Sequence, residues 1–407
     1  MAANLCSLAR FVFLIAFLFV GCSKKGPNLA SSDKSNQRQE QLTASRSAAT
    51  IDCYDFFQLT LQVDQPVAKN PFRDVNVSAR FSSVEQGEQF LVDGFCDDPN
   101  GTTFRVRFMP CKPGNYTYSV TYRRGHFEYG CEGTFKARDG KRRGILRVDA
   151  SYPWHFVWEG SREHFFLNGT TAFLLMGWTN ERVIRDCIDR LCRLDVNRIR
   201  VLLDGRMHDF LTEPIRPGGG FYARLNPWVA KRPNNVRNPK FNYGRFHCTY
   251  WQKFERMLDY AREKGLNVSV IFGWNDTKVH PVAGSEDERR YFRYAVSRLA
   301  AYANVTWDLG DDLDRFRSEA WTHDTGTMLY SLDPYHHLAT SHPVDNRYQD
   351  RTSQWFSMTS FQRWDRPLHG WMLDQREQQL RTKRIIPQIN EECGYEDHYQ
   401  SWALGSI

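Results

Sequence analysis

The stretch WDLGDDLD, residues 307–314, decides the fold together with the segment IIPQINEECGYE, residues 385–396. Each has the pattern of a short buried strand that ends in carboxylates and then turns. Alternation in the first strand predicts one inward face made of Thr306, Asp308, Gly310 and Asp312. In the second strand it puts Gln388, Asn390 and Glu392 on the inward face and directs Glu391 away from it. Parallel strands that deliver acids to one mouth are typical of a (β/α)8 barrel.

The rest of the carboxyl-terminal region alternates between strand and helix patterns. Strands are predicted over residues 165–178, 196–205, 266–276, 305–312, 337–341, 356–362 and 385–392. Amphipathic helices are predicted over residues 181–194, 251–264, 287–303, 316–332 and 373–382, from apolar residues at helical spacing. This alternation predicts an α/β barrel or an open parallel sheet, and the count favours a (β/α)8 TIM barrel over residues 145–407.

The carboxyl terminus is short for such a barrel. Only residues 393–407 follow Glu392, whereas a further strand and helix would need about thirty residues. The sequence therefore predicts a barrel that is truncated before strand eight or that closes with seven strands. An open barrel exposes an apolar edge, so low stability or oligomer formation is expected.

Residues 51–140 show a different pattern. Short alternating runs such as FFQLTLQV and NYTYSVTY are separated by turn sequences such as DPNG at residues 98–101. Their spacing predicts an immunoglobulin-like β-sandwich of about 90 residues. It could bind sugar, but the preferred interpretation is a structural brace, since a fold alone supplies no site. Four cysteines could form disulfides within it or remain buried thiols: Cys53, Cys96, Cys111 and Cys131.

The first 22 residues have the pattern of an export signal. Arg10 precedes a ten-residue apolar run, residues 11–20, and Cys22 follows a small residue at its end. This resembles a bacterial lipoprotein signal peptide, in which Cys22 would carry the lipid; simple secretion and an uncleaved anchor are the alternatives. Residues 23–50, rich in Ser, Lys, Gln and Asn, predict a flexible linker. We expect an exported protein that is lipid-anchored to a bacterial membrane or secreted.

The composition and the absence of certain motifs argue against several classes of function. The formal net charge of +7 over 407 residues is modest, and basic residues are interspersed with acidic ones, so no nucleic-acid partner is expected. The sequence has no CxxC pair, no HExxH, no GxSxG and no GxxxxGK[ST]. We therefore expect no metal and no cofactor.

Motifs on the second and fourth strands resemble those of a large clan of retaining glycoside hydrolases with cellulase-type members. In that clan the fourth strand carries the acid/base in an Asn-Glu pair, and here Asp311-Asp312 stands in its place. The clan's second strand carries Asn-x-x-Arg, which Asn197 and Arg200 match. The resemblance implies that Arg200 lies near the nucleophile.

The seventh-strand motif of the clan runs from a Pro to a Glu five residues later, then to a Gly. Pro387, Glu392 and Gly394 match it. The runs NPFRDVNVSARF, VDGFCDD and FRVRFMPCKPGNYTYSV resemble the uncharacterised sandwich domain that precedes glycosidase barrels in bacterial secreted enzymes. With Gly-Tyr-Glu after Glu392, the nearest branch is the apiosidase-like or collagen-binding-type one.

The resemblance implies that Asp312 is the acid/base and Glu392 the nucleophile, while Arg200 and Asp311 position substrate. Asp312 is one methylene shorter than Glu, so three outcomes stay open: a retaining enzyme with a compensating backbone, an inverting one, or an inactive site that still holds sugar. Asp311 as a carboxylate can only accept hydrogen bonds, unlike the clan's Asn.

Further residues near strand ends are candidates for substrate binding. Trp178, Trp274 and Trp364 could stack on sugar rings or could serve the core, and Asn275 and His342 could contact substrate, His342 alternatively orienting a carboxylate. Asp314 is expected to cap a helix beginning near Arg315, and Glu391 to be a structural ion-pair partner. The long loop over residues 204–250 should roof the cleft.

Together these features predict a bacterial surface glycoside hydrolase that acts on a poly- or oligosaccharide with two carboxylates. The leading alternative is a non-catalytic glycan-binding lipoprotein on the same fold. A purely structural surface module is the third.

Overall fold

The computed structural model describes residues 18–19, 40–203, 226–232, 238–274, 280–344, 352–363 and 368–392. The predicted lipidation site, Cys22, lies outside these ranges, so export and lipid attachment stay predictions from the sequence. Within the ranges, no helix combines the length and apolar character needed to cross a membrane.

The amino-terminal half is a β-sandwich, as predicted. Its elements are β1 (Leu18–Phe19), β2 (Gln41–Arg46), β3 (Thr50–Asp52), β4 (Phe57–Asp64), α1 (Pro71–Asp74), β5 (Asn76–Ser83), β6 (Gln89–Asp93), β7 (Phe95–Cys96), β8 (Thr103–Phe108), β9 (Gly114–Arg124) and β10 (Phe127–Arg138). One sheet has the order β1-β2-β4-β8-β7 and the other β3-β10-β9-β5-β6. The predicted linker over residues 23–50 is wrong for β2, which pairs along its whole length with β4 because Ala44 alternates into the core.

Alternating burial explains the sandwich. In β4 the side chains of Phe57, Leu59 and Leu61 are buried while their neighbours face outward. Phe57 stacks on Phe135 with ring centroids 4.1 Å apart, which joins the two sheets through aromatic packing. The four cysteines of this domain are present as thiols, so the disulfide alternative is not observed: Cys53, Cys96, Cys111 and Cys131.

The carboxyl-terminal half is an α/β domain. A small antiparallel sheet comes first: β11 (Leu146–Val148), β12 (Phe156–Trp158) and β13 (His164–Phe165). The main elements follow: β14 (Gly169–Thr171), α2 (Glu181–Arg193), β15 (Arg198–Leu202), β16 (Trp228–Ala230), β17 (Phe241–Phe246), α3 (Cys248–Glu263), β18 (Asn267–Ile271), α4 (Glu286–Leu299), β19 (Val305–Asp311), α5 (Glu319–Leu332), β20 (Ala339–His342), β21 (Thr359–Gln362), α6 (Leu368–Thr382) and β22 (Gln388–Glu392).

Seven of these strands run parallel in the order expected for a barrel. β14-β15-β18-β19-β20 form one sheet, and β21-β22 form a parallel pair. Thr340 of β20 donates from its hydroxyl to the carbonyl of Met358 just before β21, so the separate β21-β22 pair lies next to β20. Among the described residues no strand pairing joins β22 to β14. The predicted strand over residues 165–178 is wrong in part, since only β13 and β14 are extended and Leu175–Gly177 form a 3-10 turn. Within the predicted loop 204–250, β16 and β17 form an antiparallel pair, and the other predicted helices and strands overlap the observed ones.

Buried charges join the two domains. Arg107 of β8 reaches across to Glu255 of α3, with Nη1–Oε1 and Nη2–Oε2 distances of 2.7 and 3.1 Å. Arg298 of α4 lies 2.7 Å from Glu255 Oε1 and 2.8 Å from Asp97 of the sandwich. Although burial opposes ionisation, the two arginines hold the pKa of Glu255 below its ordinary value. The arrangement favours the structural-brace interpretation of the sandwich.

Replacing Glu255 by Gln should destabilise the protein by about 3–5 kcal/mol, because Arg107 and Arg298 would keep buried charges without their carboxylate. Urea unfolding monitored by tryptophan fluorescence measures the change. Since the folded-state pKa of Glu255 is lowered, its contribution should be present above about pH 4.3 and fade as the pH falls further.

The matched control is Glu263→Gln, an exposed acid on the same helix, which should change stability by less than about 0.5 kcal/mol. Equal effects of the two variants would contradict a structural role for the network.

Candidate functional site

One buried guanidinium, that of Arg200 on β15, contacts acidic side chains of both β19 and β22. Only 2% of this residue is exposed. Its Nη2 lies 3.1 Å from Asp308 and 2.9 Å from Asp311, its Nε lies 2.9 Å from Glu391, and its Nη1 lies 3.7 Å from Glu392. Acidic residues from two strands that are far apart in the sequence therefore contact the same side chain.

Irregular strand pairing brings these acids to the same side. The register between β19 and β20 shifts between Asp308 and Asp311, and that between β21 and β22 shifts at Gln362. A bulge changes the side-chain parity of the strand after it. The prediction that Glu391 points away is therefore wrong. Its predicted ion pairing is observed, because it contacts Arg198 and Arg200 and accepts from Ser360.

Asp312 leaves the strand geometry that alternation assigns to it. Its backbone is left-handed, with φ 52° and ψ 37°, at the start of the 3-10 turn Leu313–Arg315. Its side chain is 14% exposed, and one oxygen lies 4.0 Å from Arg315 Nε. Burial, and then the charge of Asp311, raises the pKa of Asp312. A partly accessible carboxyl with a raised pKa is suited to donating a proton.

Glu392 is held in a different environment. It is 6% exposed and accepts from Gln362 Nε2 at 2.6 Å. Burial raises the pKa of Glu392 to about 7, with the charges of Asp311 and Asp312 adding to the effect. His342 and Arg200 act against this shift but do not cancel it.

The remaining acids of the cluster divide into two kinds. Burial raises the pKa of Asp308 to about 6. Glu391 is the opposite case: burial opposes ionisation, but Arg198 and Arg200 lower its pKa to about 2. Asp308 is a site residue that motif reasoning missed, although the alternation of β19 had marked it as inward-facing.

His342, at the end of β20, orients a carboxylate. Its Nδ1 lies 2.6 Å from Asp311 Oδ1, and the imidazole is fully buried. Burial and Arg200 act against protonation, yet Asp311 raises the pKa of His342 above its ordinary value. In turn His342 and Arg200 lower the pKa of Asp311 against the effect of burial. Asp311 is thus held in place by Arg200 and His342.

Aromatic residues approach this cluster from one side. Trp274 follows β18, forms a parallel bridge with Asp311 and stacks on Phe173 with centroids 5.8 Å apart. The Phe173 ring lies 5.6 Å from Arg200 Cζ. Phe173 was not singled out from the sequence, although it follows the first strand as Trp274 follows the third. Trp178 instead packs partly buried against the core, and its carbonyl accepts from Lys253.

Other predicted site residues differ or lie outside the described residues. Asp314 does not cap a helix: its Oδ1 accepts from Val344 N at 2.8 Å, because residues 313–315 form the 3-10 turn and α5 begins later, capped by Ser318. Asn275, Trp364 and much of the loop 204–250 lie outside the described ranges. Within those ranges no group of three or more His, Cys, Asp or Glu side chains could hold a metal ion.

Two parts of the chain are similar to known protein families. The profile of an apiosidase-like catalytic domain matches residues 217–406, which include β19 and β22 but not Arg200. A domain of unknown function, DUF5060, matches residues 50–123 of the sandwich. Residues 217–406 are thus similar to an apiosidase-like catalytic domain, and residues 50–123 are similar to a DUF5060 domain. No curated protein matches the chain.

A solved structure shares the fold of this chain. A protein from Bacteroides vulgatus ATCC 8482 described as a glycoside hydrolase matches 86% of this chain at 23% identity with a TM-score of 0.70. The chain spans 66% of that protein's length. A family 5 glycoside hydrolase from the same organism matches 63% of this chain over 54% of its own length, at 20% identity and a TM-score of 0.46. The first comparison shows a shared fold.

Replacing Asp311 by Asn should lower the pKa of Glu392 from about 7, because a nearby negative charge is removed and Arg200 is released toward Glu392. Side-chain carboxyl signals in ¹³C-labelled protein, followed against pH, measure the change. Asp314→Asn is the control, since Asp314 bonds to Val344 and not to Arg200. An unchanged or higher pKa in the Asp311 variant would contradict the charge arrangement.

Proposed function

We propose that the apiosidase-like domain hydrolyses a glycosidic bond of a poly- or oligosaccharide, with Glu392 as nucleophile and Asp312 as acid/base. The observation that carries this proposal is the convergence of the acids of β19 and β22 on Arg200. The effect of Asp312 on the pKa of Glu392 supports it further, because the two carboxyls must be close enough to interact.

In the retaining mechanism the two carboxyls share one proton at the start. Asp312 gives its proton to the glycosidic oxygen while the carboxylate of Glu392 attacks the anomeric carbon and the bond to the leaving group breaks. Asp312, now a carboxylate, then takes a proton from water, whose oxygen displaces Glu392 and completes hydrolysis. Arg200 stabilises the charge on Glu392, and Asp311, held by His342, accepts a hydrogen bond from a sugar hydroxyl.

The short side chain of Asp312 bears on stereochemistry. Its left-handed backbone supports a retaining enzyme in which the main chain compensates for the lost methylene. An inverting reaction would require room for a water molecule between the carboxyls, at a separation of about 6.5 Å or more.

A non-catalytic glycan-binding role is the second candidate. It is favoured by the replacement of the clan's Asn-Glu pair by Asp311-Asp312 and by the closer approach of Arg200 to Asp311 and Glu391 than to Glu392. In this reading the weakly stabilised Glu392 keeps its proton and contacts sugar without attacking it.

Glu392→Gln should abolish hydrolysis of a panel of aryl glycosides, with a fall in kcat of at least about 10³-fold, because the amide cannot act as a nucleophile. Release of the aryl group measured by absorbance tests this. Glu377→Gln, an exposed acid on α6, should leave the rate unchanged. Retention of glycans by the unmodified protein without any turnover would favour the second candidate.

The pH profile of kcat/KM should rise as the pH increases through about 7, because Glu392 must lose its proton before it can attack. In Asp311→Asn the rising limb should move to lower pH, in parallel with the carboxyl titration. A rising limb near pH 4 in the unmodified enzyme would contradict the assignment of Glu392.

A further inference from the structure

Two cysteines of the sandwich lie beside each other at one end of the β4 and β8 pair. These strands are antiparallel, and their chains stay in contact beyond the last strand partners, because Tyr54 N donates to Pro110 O at 2.9 Å. Cys53 immediately precedes the donor of this bond, and Cys111 immediately follows its acceptor. Both cysteines are thiols in the structure. One backbone hydrogen bond therefore brings two thiol-bearing residues side by side.

Covalent geometry limits the distance between these two residues. No peptide bond among the described residues is cis. In a trans peptide, the Cα atom before an N–H group and the Cα atom after a C=O group lie on the side of the hydrogen bond. The Cα of Cys53 is thus about 2.4 Å from the Tyr54 nitrogen, and that of Cys111 about 2.8 Å from the Pro110 oxygen. The two Cα atoms are then at most about 7 Å apart, the limit for a disulfide without backbone movement.

The two sulfur atoms also share a neighbourhood. Burial raises the pKa of Tyr116 to about 12, and the charges of Cys53 and Cys111 add to the effect. Burial likewise raises the pKa of Cys111 to about 12, with the charge of Cys53 among the further causes. Because such effects weaken with distance, both sulfur atoms lie near the same phenol ring and near each other.

The other two cysteines of the sandwich have different strand partners. Cys96 lies opposite Phe104 in the β7 and β8 pair, and Cys131 lies opposite Val120 in the β9 and β10 pair. Neither therefore faces a cysteine across these strand pairs. Of the three pairings that four cysteines allow, the backbone favours the one that joins the ends of β4 and β8.

The segment that ends at Cys111 carries contacts to the α/β domain. Arg107 is paired with Glu255 of α3, and Met109 N donates to the hydroxyl of Tyr335 at 2.7 Å. A covalent bond at Cys111 would anchor this segment where the two domains meet.

We propose that Cys53 and Cys111 form a disulfide bond when the chain folds in an oxidising compartment. The bond closes a loop over residues 53–111 and ties the segment in front of β4 to the one that braces the α/β domain. Export, predicted from the first 22 residues, would supply such a compartment. The bond goes beyond the proposed hydrolysis and does not require Glu392 to be active.

The reaction needs an oxidant of the disulfide class, such as oxidised glutathione. The Cys53 thiol loses its proton, its sulfur attacks one sulfur of the oxidant, and one glutathione thiolate leaves. The Cys111 thiolate then attacks the Cys53 sulfur and displaces the second glutathione, so two protein thiols are oxidised and one glutathione disulfide is reduced. Burial raises the pKa of Cys53 to about 11, which leaves little thiolate in the folded chain. The bond should therefore form mainly during folding.

Peptide mapping of the full chain tests the pairing. One sample is refolded in reduced and oxidised glutathione, one is refolded in dithiothreitol, and one is held folded in oxidised glutathione. Free thiols are blocked with N-ethylmaleimide before digestion without reduction. We expect a peptide that joins Cys53 to Cys111, two hydrogens lighter than its parts, in the refolded glutathione sample and not in the dithiothreitol sample. Thermal unfolding should occur at least about 3 °C higher in the glutathione sample, since the closed loop restricts the unfolded chain.

Cys53→Ser and Cys111→Ser should each remove the linked peptide and the redox-dependent shift in unfolding temperature. Cys192→Ser, on α2, is the control and should keep both.

The pairing would be overturned if both cysteines carried N-ethylmaleimide in every glutathione sample, if either were linked to another cysteine, or if the glutathione and dithiothreitol samples unfolded at the same temperature. Since mapping of the unmodified chain decides the pairing, an unstable variant does not leave it open. Failure of aryl-glycoside hydrolysis, by contrast, would count against the proposed function alone.

Discussion

The buried guanidinium of Arg200 is the constraint on which the carboxylate site depends. A charge removed from water in this way must be paired, because an unpaired buried ion costs several kcal/mol. Four carboxylates surround this guanidinium: Asp308, Asp311, Glu391 and Glu392. The basic side chains among them, Arg200, Arg198 and His342, are fewer and lie at unequal distances, so they do not stabilise all four negative charges equally. Burial raises the pKa of Asp308 and of Glu392, the two acids that lie farther from Arg200 than Asp311 and Glu391 do.

Two interruptions of strand pairing allow this excess of acidic side chains around Arg200. In a regular strand Glu391 and Glu392 would face opposite sides of the sheet, and only one of them could reach Arg200. The shift at Gln362 lets both approach the same guanidinium, and the shift after Asp308 does the same for Asp308 and Asp311. The left-handed residue Asp312 ends the strand, and its side chain is less buried than that of Asp311.

A second set of buried charges makes the sandwich part of the same body. Glu255 joins Arg107 of the sandwich to Arg298 of α4, and Arg298 reaches back to Asp97. Tyr335 adds a bond from its hydroxyl, which accepts from the backbone of Met109 at 2.7 Å. Separating the domains would expose these charges to water or leave them without partners. The sandwich therefore supports the strands that carry the acids.

The sequence by itself determined the order of the elements and the identity of the principal acids. Periodicity placed most of the strands and helices, and the resemblance to a clan of glycoside hydrolases picked out Arg200, Asp311, Asp312 and Glu392. Both signals are local, because they depend on neighbouring residues. Only the tertiary structure decided which acids share one cation. The inward turn of Glu391, the place of Phe173 beside Trp274 and the Arg107–Glu255 link all depend on bulges and on contacts between distant segments, which no local pattern encodes.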